Sequence, residues 1–480
     1  MLNLSSLYFL LLLYTIYNVI PVKKLGIEGN FLDTFPLAAV SFYNGQSGAM
    51  MNISIIIGVI LALACLIAAF RILQKKRLID DMPTSKTLGV FIGLAELKGT
   101  AESDKPLTSY LAGAPCVLYK WRIEEHWSRT VTSVGAKGMP TTRHESGWTT
   151  IAKDEQLIPF YLKDDTGVIR IIPAGAEIQD KEIFNKTCRL SDPLYFRKGP
   201  LREIANSDHE RRFVETAVPL HAGLYVMGQA RERQDIVAAE IAKDKKAPMF
   251  LISTRSEKQI SSGLGTWFWG WMVIGLLSIA GSVWLGSRLA QSGRPDTGQQ
   301  LAIALGVYVL LIALGWIWLV YNSLVNLRQR VRQGWAEVDI ELKRRNDLIP
   351  NLVQVVEGYS AHESQLQELA ANLRGQMSAT PPGAAGSDYA GFGSILRVTV
   401  ENYPELKSGE LFLNLQKQLS ETEQRVALAR DYFNQIVTFY NTRLEIVPDT
   451  FLAKVMRLKH QTLMGTADFE RAPVKVNLAS

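Results

Sequence analysis

The stretch VDIELKRRNDLIPNLVQVV, residues 338–356, decides how the chain is read. It keeps apolar residues at helical spacing, crowds Arg344, Arg345, Asn346 and Asp347 together, and places Pro350 in mid-run. Two readings compete: a catalytic cluster, or a polar lock inside a coiled coil. The flanking sequence favours the second. Leu324, Leu327, Val331, Trp335, Val338 and Leu342 lead into the stretch, and Ile349, Leu352, Val356, Tyr359, Leu366, Leu369 and Leu373 continue it in steps of three and four. A stripe sustained that long describes a coiled-coil or bundle helix. The helix is expected to run to about residue 378, a rod of roughly 90 Å at 1.5 Å per residue. Pro350 should bend it, at about 3 kcal/mol unless packing compensates.

PPGAAGSDYAGFGS (381–394) then breaks the helix, so a linker is expected over 380–395, with a shorter helical stretch from Ile395. The pattern resumes at Leu411, Leu415, Leu419, Thr422, Val426, Ala429, Phe433, Ile436 and Tyr440, and stops near Pro448. Two rods joined by one linker pack as an antiparallel hairpin. Arg345 falls on the seam, in the slot between Leu342 and Ile349, where a charge is expensive unless paired. Folding the chain about the linker sets Arg345, Asn346, Asp347 and Asn351 opposite Asp431, Asn434 and Asn441. The expectation is a cross-helix polar network that fixes register. A catalytic reading needs a pocket, an activated nucleophile or a metal, and the sequence displays none.

Four runs contain no Asp, Glu, Lys or Arg: 2–20, 52–70, 266–285 and 301–321. Each has the length of a bilayer-spanning helix, whereas buried core helices account for apolar runs of about 10–14 residues. The first run lacks the basic start of a signal peptide and reads as a retained anchor. Arg71, Lys75, Lys76 and Arg77 follow the second run, and Arg328, Arg330 and Arg332 follow the fourth. The positive-inside rule then assigns 71–265 and 322–480 to the cytoplasm, and 21–51 and 286–300 to short extracytoplasmic loops. Trp267, Trp269, Trp271, Trp284, Trp316, Trp318 and Tyr321 crowd the ends of the third and fourth runs, where aromatic rings favour the headgroup layer.

The 480 residues carry a net charge of +6, which membrane-flanking basic residues explain without nucleic acid. Three scattered cysteines (65, 116 and 188) and six histidines show no metal-binding or nucleophile spacing, so no metal and no cofactor are expected. Between the second and third runs the pattern is of short apolar strands. PCVLYKWRI (115–123) alternates as a half-buried strand, and 88–97 and 220–229 are further strand candidates. KDDTG (163–167) reads as a hairpin turn in which Gly167 supplies a conformation costly for other residues, with a short helix near 180–184. Asp165-Thr166-Gly167 also matches the aspartic protease tripeptide, but that chemistry needs two carboxylates sharing a proton, and one copy is present.

SKTLGVFIGLAELKGTAES (85–103), PLTSYLAGAPCVLYKWRIEE (106–125), PFYLKDDTGVIRIIPAGAEI (159–178) and PMFLISTRSEKQI (248–260) resemble the GIDE domain, the "beside a membrane" module of mitochondrial-type E3 ubiquitin ligases and their bacterial relatives. That resemblance implies substrate recognition between two transmembrane helices. The ligases' RING needs about eight Cys/His ligands, which three cysteines do not provide, so ligase activity does not carry over. Likewise, 324–359 and 411–448, with YPEL (403–406) between them, resemble LemA proteins, bacterial membrane proteins with an antiparallel helical bundle and no established enzymatic chemistry. A typical LemA has one anchor and a short tail where this chain has extra spans and a GIDE-like domain.

The expected architecture is therefore a multi-domain membrane protein: spans, a β-rich (α+β) GIDE-like domain and an all-α antiparallel LemA bundle. The expected role is a bacterial inner-membrane scaffold, non-enzymatic, contacting lipids, self-associating and recruiting client proteins through the GIDE-like domain. The alternatives are an adaptor presenting membrane clients to a protease or signalling kinase, and a RING-less ligase-like transferase or aspartic hydrolase with Cys116, Cys188 or Asp165 as nominal residues.

Overall fold

A computed structural model describes residues 47–134, 140–233, 235–236, 238–245, 247–289, 297–359 and 410–464. The first apolar run, the 380–395 linker, the helical stretch expected from 395 and the end of the long rod past 359 lie outside the described residues. Six helices are described: α1 (Ser47–Asp80), α2 (Leu194–Arg197), α3 (Glu257–Leu289), α4 (Thr297–Tyr359), α5 (Glu410–Glu445) and α6 (Asp449–Val455). The described residues fall into two compact units, one drawn from Met1–Arg77 and Ser262–Tyr321, the other from Leu78–Ser261 and Asn322–Ser480.

In the first unit, α1, α3 and the start of α4 each contain a stretch long and apolar enough to cross a membrane. They overrun the uncharged runs at both ends. Their contact surface is built from small residues and a few large ones: Ala62, Leu66, Ile279 and Tyr308 form one cluster, and Cys65, Ala69 and Trp271 another. A Cβ on Gly58 would strike Ser282, and one on Gly315 would strike Phe70, so glycine permits close helix approach at both points. The Tyr308 hydroxyl donates to the Met272 carbonyl at 3.0 Å, keeping a polar group satisfied within the protein. The outward faces stay apolar and uncovered: at most 28% of any of the three apolar windows is buried. This is a membrane protein.

The second unit begins with a β domain. Strands β1 (Thr84–Ser85), β2 (Gly93–Glu102), β6 (Phe160–Lys163), β7 (Val168–Ile171), β8 (Glu177–Gln179), β11 (Gly223–Glu232), β12 (Ala239–Ala242) and β13 (Leu251–Ser253) make one sheet in the order β1-β2-β6-β7-β12-β11-β13-β8. A further pairing of β2 with β11 closes five of these strands on themselves. Leu97, Phe160, Leu162, Ile171, Val226 and Ile241 fill the interior. The second sheet runs β3 (Leu107–Thr108), β4 (Pro115–Val134), β10 (Ser207–Pro219), β9 (Lys181–Arg189), with β5 (Pro140–Leu157) on the free side of β4. Its core is Ile123, Cys188, Tyr195 and Phe213.

Three details differ from the sequence reading. Residues 181–189 are strand β9, not a helix, because pairing with β10 overrides local preference. The strand expected from 88 starts at Gly93, after a 3-10 turn at Thr87–Gly89. The KDDTG hairpin joins β6 to β7 as expected, but Gly167 is not in a left-handed conformation. Asp164 holds the turn instead, accepting the N–H groups of Thr166 at 2.8 Å and Gly167 at 3.0 Å, and the Thr87 hydroxyl at 2.6 Å.

The helical part of the second unit is an antiparallel pair. Leu324, Leu327, Val331 and Val338 on α4 are buried, as are Val426, Phe433, Ile436 and Tyr440 on α5. Helix α4 runs through Pro350 to Tyr359.

Candidate functional site

The second unit brings the β domain and the helical pair together at the segment that follows α1. Asp81 sits there, buried, and acts as a node. Its carboxylate accepts from Arg443 Nε at 2.9 Å and from the Ser323 hydroxyl at 3.2 Å. Arg443 also approaches Asp449 at 3.8 Å. One carboxylate therefore ties the entry to the β domain, the part of α4 that follows its apolar run and the end of α5.

Around this node the packing is apolar. Met82 Sδ receives Arg330 at 3.1 Å and the Tyr432 hydroxyl at 3.8 Å. Phe91 meets Tyr432 edge-on, with ring centroids 4.9 Å apart. Gly89 lies against Leu428 so closely that a Cβ there would be 2.9 Å from the leucine Cβ. Burial pushes the Tyr432 phenol well above its ordinary range. The heptad reading assigned Phe433 to the seam and missed Tyr432, because it sought one stripe on α5. Two adjacent large aromatics were the available signal that this helix buries two faces.

Two buried ionic clusters lie within the β domain. Glu96, fully buried, accepts from the Thr84 hydroxyl at 2.7 Å and the Tyr225 hydroxyl at 2.8 Å, and Lys98 reaches it at 3.3 Å. Burial raises the Glu96 carboxyl above its usual range despite those donors, and burial with the neighbouring carboxylate raises Tyr225 as well. Arg211 and Glu125, cross-strand partners on β10 and β4, are wholly buried and paired at 3.0 Å. Arg211 further donates to the carbonyls of Tyr195 and Pro200, at 2.9 and 2.8 Å, and stacks over the Tyr195 ring at 4.0 Å. These donors pin the segment between β9 and β10. The guanidinium's hydrogen-bonding capacity is used structurally.

Arg345 is buried on the α4 seam, as the stripe required, and among the described residues it pairs with Glu423, at 3.5 Å. The expected partners are engaged elsewhere. Asp431 accepts from Gln435 on its own helix at 2.7 Å. Asn434 and Asn441 each make a two-way bond with the tail backbone, at Met464 and Gln461. Asp347 and Asn351 are exposed, and the Asn346 side chain lies outside the described residues. Among the described side chains of the opening stretch, Arg345 is buried while Arg344, Asp347 and Asn351 are exposed, and the tail bonded by Asn434 and Asn441 was not anticipated.

Trp267, Trp269, Trp284, Trp318 and Tyr321 are exposed and Trp316 is half-buried. Trp271 departs from the interfacial expectation: it is 6% exposed and packs on Cys65 and Ala69. Of the basic residues after α1's apolar run, Arg71 and Lys75 are exposed and Lys76 and Arg77 half-buried. Cys116 and Cys188 are buried; burial pushes the Cys116 thiol to about 11 and raises Cys188 too. Asp165 pairs with Lys86 at 2.6 Å on the surface. Among the described residues, no group of three His, Cys, Asp or Glu is placed to hold a metal ion.

The architecture defines a class: a membrane protein with a β domain clasped to an antiparallel helical pair. Comparison with known families places both parts. The LemA family model matches residues 334–478, and the GIDE model, described as "E3 Ubiquitin ligase", matches 130–286, which begins in β4 and ends in α3. Magnetosome protein MamQ of Magnetospirillum gryphiswaldense is 23% identical over 191 residues, 33% of this chain and 70% of that protein. Protein LemA of Metamycoplasma hominis is 20% identical over 177 residues, 35% of this chain and 81% of that protein. Magnetosome protein MamQ 2 of Paramagnetospirillum magneticum is 22% identical over 169 residues, 29% of this chain and 62% of that protein. The chain carries a LemA-family region at its carboxyl end, preceded by a GIDE region.

Proposed function

We propose that this chain is a non-enzymatic scaffold of the bacterial inner membrane, with both large parts on the cytoplasmic face, self-associating and organising membrane or gathering client proteins. The observation that carries the reading is the Asp81 node. By bonding Ser323 and Arg443 together, Asp81 makes the β domain and the helical pair one body, suited to holding geometry. The contact of residues 81 and 443 supports both parts lying on one side of the membrane, with two spans between them. The basic residues following the second and fourth apolar runs favour the cytoplasm for that side. The thiols support a role without chemistry, since a nucleophilic cysteine is an accessible thiolate and Cys116 and Cys188 are neither accessible nor easily ionised.

Light scattering on the detergent-solubilised chain tests the scaffold. Particles of several protein copies are expected, and a strict monomer overturns the proposal. A second reading, an adaptor that receives clients, is favoured by β5, an 18-residue strand that among the described residues pairs only with β4. Such an edge can accept an extended peptide as an added strand. Photocrosslinkers along β5 that trap one defined protein, instead of other copies, would select that reading.

A further inference from the structure

Helix α6 is inside out. It buries Asp449, 2% exposed, and Ala453, while Phe451 and Val455 stand 62% and 78% exposed. Val447, one turn earlier, is 67% exposed, and Ile446 is exposed beside it. In water a short helix gains by turning its Phe and Val inward, and contiguous exposed apolar residues mark a surface that something covers. Lys454, Arg457 and Lys459 are exposed around this patch.

The position of the patch identifies the cover. Trp335 on α4 meets Phe433 on α5, with ring centroids 5.5 Å apart. Twelve positions back along α4 and twelve forward along α5 set 323 against 445. Ser323 lies two residues beyond the apolar run 301–321, so α5 returns to the level at which α4 leaves hydrocarbon. The contacts agree: Ser323 bonds Asp81, Asp81 bonds Arg443, and Arg443 reaches Asp449, the first residue of α6.

We propose that residues 446–455 form a membrane-interface foot, with Ile446, Val447, Phe451 and Val455 inserted at the headgroup–acyl boundary of the membrane that α4 crosses, and Lys454, Arg457 and Lys459 set on anionic lipid phosphates. Interfacial helices bury an apolar face about 5–10 Å into that layer, and lysine and arginine stems keep their charges in the headgroups. The foot explains why the buried face carries Asp449: Arg443 occupies that side, leaving the apolar face for lipid. The inference rests on 301–321 spanning a membrane and is independent of the scaffold function, because the test reads depth and not assembly.

The test uses the full chain in vesicles of phosphatidylcholine and phosphatidylglycerol, with a fluorophore on Phe451→Cys, on Val455→Cys, or on Glu421→Cys as a solvent-exposed control far along α5. The native cysteines are all buried. Labels at 451 and 455 are expected to lose most of their emission to lipids bearing a nitroxide near the headgroup and little to aqueous iodide, with the reverse at 421. Iodide quenching at 451 and 455 equal to that at 421 overturns the proposal. So does protection from both quenchers, which would mean that protein covers the patch. Nitroxide quenching should fall when phosphatidylglycerol is omitted; equal quenching in both compositions removes the role given to the three cations.

Discussion

Two buried ionic groups make opposite demands on the fold. Arg211 and Glu125 are both 0% exposed and mutually satisfied, so removal of either strands the other charge in the core. Arg211→Ala is expected to destabilise the chain by about 3–5 kcal/mol. The double change Arg211→Met with Glu125→Leu should recover only the part due to the stranded charge, because the carbonyls of Tyr195 and Pro200 still lose their donor. Thermal unfolding of the full chain in detergent, followed by tryptophan fluorescence, measures both. Glu96 behaves differently. Its carboxyl is raised by burial, with hydrogen bonds from Thr84 and Tyr225 opposing. The folded chain therefore holds the Glu96 proton to a higher pH than the unfolded chain. Between those two values the folded state binds more protons, so stability falls as pH rises above the ordinary glutamate range. Glu96→Gln removes that slope: relative to the natural chain, the variant should be more stable at pH 8 than at pH 5. Equal pH slopes for the two proteins would contradict a buried, proton-holding Glu96.

At the scale of elements, the hairpin was legible in the sequence and its register was not. Leu324, Leu327, Val331 and Val338 fall on the buried stripe that steps of three and four specify. The contact of Trp335 with Phe433 and that of Arg345 with Glu423 lie ten positions apart on each helix, which fixes one antiparallel register. The linker-based expectation put Arg345 opposite Asp431 or beyond, at least eight residues away. The expected range of partners includes a slide of about 11 residues, roughly three helical turns, which presents nearly the same apolar stripe, so spacing alone discriminates poorly between such registers. In the β domain, alternation located β4, and Asp164-to-Gly167 was readable as a turn. The strand β9 and the closure of β2 on β11 depend on partners distant in sequence, which no local pattern encodes. A double-mutant cycle separates the registers. Arg345→Ala and Glu423→Ala should show coupling, while Arg345→Ala and Asp431→Ala should add within about 0.3–0.5 kcal/mol. Coupling to Asp431 and additivity with Glu423 would restore the longer register.

For the whole molecule, the decisive contacts join the segment from Asp81 to Phe91, which precedes the GIDE match at 130–286, to α5 inside the LemA match at 334–478. Such a union could be a loose tether, with each part keeping the surface it would have alone, or a fused body. The residues favour fusion. Leu428, Tyr432 and Arg443 lie on α5 at roughly helical-turn intervals, and each meets the segment from Asp81 to Phe91. A helix evolved for one partner would expose that line; here it is spent on the β domain, with Tyr432 only 8% exposed. A tether would also leave Asp81 in water, where an exposed pair contributes about 0–1 kcal/mol, whereas the Asp81 side chain is 9% exposed and serves two donors. The difference can be read directly. A disulfide requires Cβ atoms about 3.5–4.5 Å apart, and a Cβ at position 89 lies 2.9 Å from that of Leu428, which a small shift accommodates. Gly89→Cys with Leu428→Cys in the full chain should therefore close an intramolecular bond under mild oxidation, seen as faster migration on a non-reducing gel. Asp81→Ala should slow its formation by unlocking the node. Two parts moving independently would form the bond slowly, at a rate indifferent to Asp81, and a bond formed between copies instead would show that the surface on α5 is filled by a neighbour and not by the chain's own β domain.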